Sequence, residues 1–244
     1  MALLDFETAL GRLVRSPEAE PDLRGLDCAE IAAFERLRRS AGFRFTAGVQ
    51  RSWCIGRAAR AAAFTLSVLP EGFGRELLEE WVDAGGGTSS FFGAEAEGLL
   101  EFIAGRLPDP SHELSACRFE QATLRANAEA IRFTAPALDF FSHSKATLRR
   151  GRFSGMAVFY GEPEAIIEAL AGSRARPPVS HDKATAVLFA PGLDRLCRLA
   201  AEREAELWQK LRSPVSIENL LHEDYRREVI VPLVQQGVLE PVIQ

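Results

Sequence analysis

The chain has 244 residues, of which 47% are hydrophobic and 26% charged, and its net charge is −5. This composition suits one large globular domain or two small ones, and it excludes a mainly disordered chain. Because general binding to nucleic acids requires a basic surface, the acidic balance argues against that class of function.

Neither the cysteines nor the first residues of the sequence point to a secreted protein. Cys28, Cys54, Cys117 and Cys197 are scattered without a CxxC pair, which is typical of reduced thiols. The first residues carry acids early and lack the basic and apolar regions of a signal peptide. No apolar stretch of the sequence approaches the roughly 20 residues that cross a bilayer. We therefore expect a soluble cytoplasmic protein without membrane contact.

Apolar residues recur at helical spacing over the first part of the chain and predict a helical bundle at 1–135. Asp27 and Glu30 have the pattern of a capping box at the start of the second helix. Thr46 is the predicted cap of a long third helix that ends at Pro70.

The later helices of this bundle are bounded by glycine, serine and proline. A fourth helix is predicted to stop at the three glycines at 85–87, and Ser89 or Ser90 is predicted to open a fifth. The sixth is predicted to keep one apolar face as far as Ile131 and to end at Pro136.

After Pro136 the pattern changes to short runs rich in β-branched and aromatic residues. Residues 156–160 and 185–189 predict two strands, each followed by a turn and a helix. The second of these helices is predicted to begin near Leu193 and to run to Leu211, because its apolar residues recur at helical spacing.

The C-terminal tail has the element order of a winged helix. The pair Ser213-Pro214 predicts a helix start, followed by a second helix, a glycine cap at Gly237 and a strand over 238–243. We therefore predict an α+β fold that is mostly helical. An N-terminal helical domain at 1–135 precedes a winged-helix-like α/β domain at 136–244 with a small three-stranded sheet.

A cluster of potential metal ligands lies at the start of the sixth helix, at His112, Glu113, Cys117 and Glu120. A five-residue step rotates about 140° around a helix, so His112 and Cys117 point apart. Cys117 also belongs to the apolar face of this helix. We therefore expect a structural role and no metal in this chain. A metal hydrolase that uses His112, Glu113 and Glu120 is left open as a hypothesis.

The rest of the sequence has no catalytic pattern. His143, His181 and His222 have no nearby cysteine or paired carboxylates, and no GxSxG nucleophile elbow occurs. The glycine-rich loop at 85–90 lacks the lysine of a phosphate-binding loop and does not follow a strand. We therefore predict no catalytic residues in this chain.

Basic residues gather just before the first predicted strand, at Lys145, Arg149, Arg150 and Arg152. Arg57 and Arg60 form a second basic pair on the third helix. Each group is either a solvated face or a docking surface for an acidic peptide or partner, since exposed charge steers encounter.

The winged-helix-like tail makes a DNA-binding transcriptional regulator the alternative function. Its second helix, however, balances Arg226 and Arg227 against acidic neighbours, whereas a recognition helix normally brings basic or amide side chains to the bases. The same small fold also holds peptides by adding them to an open sheet edge.

Three stretches of the chain resemble the MbnC/TglI family of partner subunits from methanobactin and thiaglutamate biosynthesis. They are GRFSGMAVFYGEPEAIIEAL, ATAVLFAPGLDRLCRLAAEREAELWQKLRSPVSIENLL and CRFEQATLRANAEA. In that family a separate TIM-barrel subunit holds iron ions and uses oxygen to modify a cysteine of a ribosomally made peptide. The partner subunit packs on the barrel and holds the leader of the peptide against a small sheet in a winged-helix-like domain.

The resemblance implies a non-catalytic subunit that forms a heterodimer with an iron oxidase. It implies no cofactor in this chain, since the iron belongs to the barrel subunit. By position, it also implies that the leader of the precursor peptide lies near 153–160 and the flanks of this segment. The implied peptide-binding residues are Arg149, Arg152, Phe153, Met156, Val158 and Tyr160.

Overall fold

The computed structural model of the chain describes residues 3–15, 23–87, 92–142, 146–172 and 175–242. Within these ranges the chain is a mostly helical α+β protein with eleven α-helices and two small three-stranded antiparallel sheets. The predicted fold class is confirmed, although the sequence predicted one sheet. In the described ranges, no helix combines the length and the apolar character needed to cross a membrane.

The helices and strands follow one another in two compact units, Met1–Phe102 and Ile103–Gln244. The helices are α1 (Leu3–Arg15), α2 (Cys28–Arg39), α3 (Ala41–Ala61), α4 (Ala63–Val68), α5 (Phe73–Asp83), α6 (Phe92–Ala104), α7 (His112–Asn127), α8 (Pro163–Ala171), α9 (Glu202–Lys210), α10 (Ile217–His222) and α11 (Arg227–Gln235). The strands are β1 (Thr147–Arg150), β2 (Gly155–Tyr160), β3 (Ala184–Phe189), β4 (Cys197–Leu199), β5 (Val215–Ser216) and β6 (Leu239–Val242).

The core of the first unit includes a cluster where α1 and α2 pack against α3. Its buried residues are Ala9, Leu13, Phe34, Phe43 and Ala47. The pairs on α1 and α3 are four residues apart, so each of these helices buries one stripe, and α2 adds Phe34 to the cluster.

The helix starts of the first unit follow local capping chemistry. The predicted capping box of α2 is confirmed, because the Asp27 carboxylate accepts from the Glu30 N–H and the Glu30 carboxylate accepts from the Asp27 N–H. The predicted cap of α3 is wrong. Ser40 caps this helix by accepting from the Phe43 N–H, and Thr46 lies inside it and donates to the Gly42 carbonyl.

The third predicted helix is also divided in two. Ala62, with φ −117° and ψ 36°, leaves the helical region and separates α3 from α4, so one helix does not continue to Pro70. The glycines after α5 end that helix as predicted. A Cβ atom at Gly86 would lie 2.3 Å from the Trp81 ring, so only glycine fits there. Ser89 and Ser90, the predicted caps of the next helix, lie outside the described residues.

In the second unit, α7 begins at the Ser111 cap, whose hydroxyl accepts from the Leu114 N–H. The helix ends at Asn127 and not at Pro136, and Ile131 is fully exposed in the turns that follow. The predicted extension of the helix and of its apolar face to Ile131 is wrong, because the apolar spacing continues past the last helical residue. The sequence assigned α7 to the helical domain, whereas the structure packs it along β2.

The two sheets of this unit have the orders β5-β1-β6 and β2-β3-β4. The run α9-β5-α10-α11-β6 supplies the winged-helix order that the tail predicts, and β1 from much earlier in the chain fills the gap between β5 and β6. Gly237 has φ +72°, as its predicted role as a left-handed cap requires. The three strands predicted from the sequence are thus shared between two sheets.

Two predicted boundaries near the tail are wrong. The helix expected from Leu193 begins only at Glu202, because Leu196 adopts φ 62° and the next three residues pair with β3 as β4. The predicted cap Ser213-Pro214 precedes β5, and Ser216 caps α10 by accepting from the Asn219 N–H. In both places strand pairing overrides the local helical pattern.

One hydrophobic core joins the two sheets to the winged-helix-like helices. It buries Leu148 of β1, Leu188 of β3, Leu207 of α9, Ile230 of α11 and Leu239 of β6. On the opposite face of the second sheet, the Phe119 ring of α7 meets the Phe159 and Phe189 rings edge-on, at centroid distances of 6.1 and 5.4 Å.

Candidate peptide-binding strand edges

The six residues implied by the resemblance lie along one stretch of chain but in two sheets. Arg149 is on β1, the central strand of the first sheet, and Arg152 and Phe153 are in the connection that follows. The other three, Met156, Val158 and Tyr160, alternate along β2, an edge strand of the second sheet.

The basic members of this set contact a carboxylate of the same chain. Arg149 forms an ion pair with Glu240 across the β1–β6 ladder. The Arg152 N–H donates to the second oxygen of Glu240 at 3.0 Å, and its guanidinium lies 5.2 Å from the centre of the Phe153 ring. Glu240 therefore already neutralises part of the predicted docking charge.

Arg150, from the same basic group, is also held within the chain. Its Nε donates to the Trp208 carbonyl at 2.8 Å, and its guanidinium lies 4.7 Å from the centre of the Trp208 ring. Burial, together with the nearby Arg212 charge, lowers the pKa of Arg150. Lys145 lies outside the described residues.

The side chains of β2 alternate between two environments. Ala157 and Phe159 are buried, whereas Met156, Val158 and Tyr160 are half-buried on the other face. Met156 packs against the hydrophobic core. Its side chain is thus largely committed to folding.

The outer edge of β2 is partly occupied. The Ala200 N–H donates to the Ala186 carbonyl, and the Ala190 N–H donates to the Leu196 carbonyl. The backbone N–H and C=O groups of the even-numbered residues of β3 therefore point to β4, and those of the odd-numbered residues point to β2. By the register of β2 and β3, the backbone groups of Met156, Val158 and Tyr160 therefore point away from the sheet.

Two of these outward carbonyls already have donors. Ser115 of α7 donates its hydroxyl to the Val158 carbonyl at 2.7 Å, and the Ser180 N–H donates to the Tyr160 carbonyl at 3.2 Å. The Tyr160 hydroxyl donates to Asp109 Oδ1 at 2.6 Å. This hydrogen bond, with burial and the Asp109 charge, raises the pKa of Tyr160 to about 12. A peptide strand added to the outer edge of β2 would have to displace the hydrogen bonds from Ser115 and Ser180.

The start of α7 holds the segment that ends at Ser180. His112 Nε2 lies 2.8 Å from the Pro177 carbonyl, and Arg176 forms an ion pair with Glu113. Cys117 is completely buried. The described residues contain no group of three or more histidine, cysteine, aspartate or glutamate side chains that could hold a metal ion. His112 and Glu113 instead fasten this segment to the helix.

At both edges of the first sheet there is a proline whose backbone faces away from the central strand. The Gly151 N–H donates to the Val238 carbonyl, so the backbone groups of Val238 point to β1. Those of Pro241, three residues later, point away from the sheet. On the other edge, the Ile217 N–H donates to the Ala146 carbonyl, so the backbone groups of Ile217 point to β1 and those of Pro214 point away from the sheet. Proline lacks a backbone donor, so it limits the pairing of both edges with a further strand.

Among the residues that the structure describes, no proline blocks the outer edge of β4. Leu196 and Ala200 are bonded to β3, so the backbone groups of Cys197 and Leu199 point away from the sheet. The Leu199 side chain is 59% exposed, and its carbonyl accepts from the Arg198 side chain at 3.0 Å. Cys197 is half-buried, and burial raises the pKa of its thiol. This edge offers two N–H donors beside an exposed apolar side chain.

Arg198 fixes this strand to the helix that follows. Its two Nη atoms each donate to one oxygen of Glu204 at 2.6 Å, and Nη2 also lies 3.2 Å from Gln236 Oε1. The hydrogen bond that Arg198 donates to Glu204 raises the pKa of Arg198 against the effect of burial. β4 is therefore held in place before any ligand arrives, which lowers the entropy lost on binding.

The helix in the recognition position of a winged helix is α11. The guanidinium of Arg227 lies 4.8 Å from the centre of the Phe141 ring, and Arg226 lies 3.8 Å from Asp224. Most of the other α11 side chains are apolar, and Pro232 lies within the helix. This surface offers DNA few of the basic or amide groups that read bases.

No protein-family model matches the chain, and a search of curated proteins found no match. The geometry of the strand edges is therefore the basis for a functional inference. Sequence patterns alone missed the β4 edge, because residues 193–200 have apolar spacing typical of a helix. The turn signal at Pro191-Gly192 precedes this stretch, so it does not indicate a strand within it.

Proposed function

We propose that the chain is a non-catalytic partner subunit that binds a ribosomally made precursor peptide. In this proposal the chain docks on an iron-dependent oxidase, which modifies a cysteine of the peptide and holds the iron. The resemblance to the MbnC/TglI family motivates the oxidase, the precursor and the division of labour. The open edge of β4 is the observation that supports peptide binding.

An extended peptide would join the second sheet beside β4. Its carbonyls would accept from the outward N–H groups of Cys197 and Leu199, and an apolar side chain would cover Leu199. Main-chain hydrogen bonds of this kind supply affinity with little sequence preference, so side-chain contacts must supply specificity. The residues implied by the resemblance lie on β1, on β2 and in the connection between them, and β2 is the edge of the second sheet opposite β4. They remain a separate prediction of where the peptide binds.

The test of the peptide site uses a short cysteine-containing peptide. We expect its gene to neighbour the gene of this chain and that of a barrel oxidase. Leu199→Pro removes one outward N–H without touching the ladder to β3, a position where edge strands tolerate proline. We expect calorimetry to show about fivefold to tenfold weaker binding, the effect of losing one hydrogen bond of about 1 kcal/mol.

Leu199→Ala is the matched control, since it keeps the N–H and removes only the apolar side chain. It should weaken binding less than Leu199→Pro, and circular dichroism should show that both variants fold. If Arg149→Ala abolishes binding while Leu199→Pro leaves it intact, the peptide lies beside β1 and β2, and the β4 site is wrong.

The role as a partner subunit has its own test. Co-expression with the neighbouring barrel oxidase should give a heterodimer, and modification of the peptide should require both proteins. Stoichiometric metal binding and turnover by the purified chain alone would contradict this role. Salt-dependent, sequence-preferring binding to DNA would instead support a winged-helix regulator.

A further inference from the structure

Helix α3 of the first unit presents an exposed face that combines large apolar and very small side chains. Phe45 is 74%, Val49 54% and Trp53 53% exposed. They recur every four residues, and the groove along them is lined by these three side chains together with Arg44, Gly48 and Ser52. We call this set, with Gly56, the α3 face.

The glycines of the α3 face are not required by packing against any of the described residues. A Cβ atom at Gly48 or Gly56 would meet no atom of the described part of the chain within 4 Å. Glycine in a helix costs roughly 0.5–1 kcal/mol relative to alanine, so each position weakens α3. With Ser52 between them, they form a stripe of small residues at four-residue spacing, and such a stripe permits the close approach of another backbone.

The indole of Trp53 is held in place by Arg57. The Arg57 guanidinium lies 4.2 Å from the centre of the Trp53 ring, and the same guanidinium forms an ion pair with Glu95, which is buried. An exposed indole anchored in this way loses little side-chain freedom on binding. Tryptophan and arginine are also the residues that dominate binding energy at protein interfaces.

The charges along α3 select the partner. The helix contains four arginines and no acidic residue, in a chain whose net charge is −5. Arg51 pairs with Asp83, and Arg57 pairs with Glu95. Arg44 and Arg60 are exposed near the two ends of the face, and neither forms an ion pair with a described residue. The face is therefore apolar along its centre and positive at both ends.

We propose that the α3 face docks an amphipathic helix of another protein, with apolar residues along its contact stripe and acidic residues flanking them. A second copy of this chain fits poorly, because a two-fold contact would set one arginine-bearing face against another. The proposal does not depend on the peptide-binding function, since α3 and β4 belong to different units.

The test uses the full chain and three synthetic helical peptides of about 20 residues, a length at which isolated helices are stable enough to measure. One has a leucine stripe flanked by glutamates, one the same stripe flanked by lysines, and one a scrambled sequence. We expect the acidic peptide to bind at least tenfold more tightly than the others and to weaken as salt is added. Equal binding of the acidic and basic peptides would overturn the proposal.

Substitutions then locate the contact. Trp53→Ala should reduce binding of the acidic peptide at least tenfold, whereas Leu221→Ala, an exposed apolar residue on α10, should leave it unchanged. Reversing both end charges, with Arg44→Glu and Arg60→Glu, should transfer the preference to the basic peptide. Loss of binding with Leu221→Ala, or retention with Trp53→Ala, would place the contact elsewhere.

Gly48→Ala separates docking from folding, because the two effects have opposite signs. The added methyl group should raise the melting temperature of the chain and weaken binding of the acidic peptide. Binding that is unchanged or stronger would contradict the close approach. Concentration-dependent dimers that Trp53→Ala dissolves would show instead that a second copy occupies the face.

Discussion

The Glu204 carboxylate of α9 accepts hydrogen bonds from Arg198 and from the Ala201 N–H, and it thereby links β4 to α9. Burial opposes its ionisation, but hydrogen bonds from Arg198 and from the Ala201 N–H outweigh burial and hold its pKa below the ordinary value of 4.5. A carboxylate with a lowered pKa stabilises the fold fully above its ordinary value. This contribution is lost as pH falls through the pKa of the folded state.

Glu204→Gln should therefore lower the free energy of unfolding by about 1.5–3 kcal/mol at neutral pH, the range for hydrogen bonds to charged groups. The difference from the parent chain should shrink as the pH falls below 4.5. Urea unfolding across this pH range measures both effects. Glu206→Gln is the control, because its pair with Arg203 is exposed and contributes at most ~0.5 kcal/mol. A pH-independent loss would contradict the ionic role.

Tyr160 gives a second prediction from a single residue. The phenol pKa of about 12 lies above its ordinary value of 10.0, first because of the hydrogen bond to Asp109. Its stabilising contribution is complete below the ordinary value and is lost as pH rises through the folded pKa. Asp109→Asn should move the midpoint back toward 10.0.

The measurement is an absorbance titration with rapid mixing, so that the folded chain is observed. The sequence has two tyrosines. The difference between the parent chain and Tyr160→Phe therefore isolates one phenol. A difference signal that titrates at the ordinary value would show that the contact with Asp109 does not persist in solution.

At the level of elements, the packing of α7 on β2 depends on the absence of one side chain. A Cβ atom at Gly155 would lie 2.5 Å from the Cβ atom of Ala122. Gly155→Ala should therefore lower the free energy of unfolding by about 1–3 kcal/mol, the usual effect of overpacking. Ala122→Gly should restore part of this loss in the double variant, as thermal unfolding would show.

Gly98→Ala is the matched control for this prediction. Gly98 is exposed on α6, and an added Cβ atom meets nothing within 4 Å. This change should leave stability unaltered or raise it by ~0.5–1 kcal/mol. If Gly155→Ala proves as harmless as Gly98→Ala, the close contact between α7 and β2 is wrong.

The sequence predicted those elements whose signals are local. Asp27 and Glu30 form the expected capping box, Gly237 takes the expected left-handed conformation, and β2 and β3 occupy the runs rich in apolar residues. β4 was missed, because its three residues become a strand only by pairing with β3. A positive φ at Leu196 breaks the helical pattern, and no neighbouring residue signals it.

The candidate site shows the same limit. The residues from Arg149 to Tyr160 were identified through the resemblance, and they do lie on or between two strands. Their engagement by Glu240, Ser115 and Ser180 depends on residues far away in the sequence. Which edge is open depends on the strand register, because a shift of one residue reverses every backbone group.

At the scale of the whole molecule, the two compact units predict where the chain can be divided. A fragment of residues 105–244 should unfold cooperatively in urea, because it keeps the core that joins both sheets. Trp208 is the one tryptophan in this fragment and is buried, so its fluorescence reports the transition. A broad, non-cooperative transition would contradict an independent second unit.

A shorter fragment, residues 136–244, follows the domain boundary predicted from the sequence. It lacks α7, and with it the Phe119 ring that packs on Phe159 and Phe189. We expect this fragment to unfold at a lower urea concentration or to aggregate, since one face of the second sheet is uncovered. Equal stability of the two fragments would favour the boundary at 135.

The position of β1 between β5 and β6 imposes an order of events on folding. During synthesis, β1 emerges well before either neighbour, and it cannot complete its ladders until the chain through Val242 has been made. Such distant pairings are slow to form, and an unpaired central strand is prone to pair with other chains in the meantime. β2, β3 and α7 lie closer together in sequence and can assemble first. We therefore expect newly made chains to wait in a half-formed state, in which β1 is the strand most in need of protection.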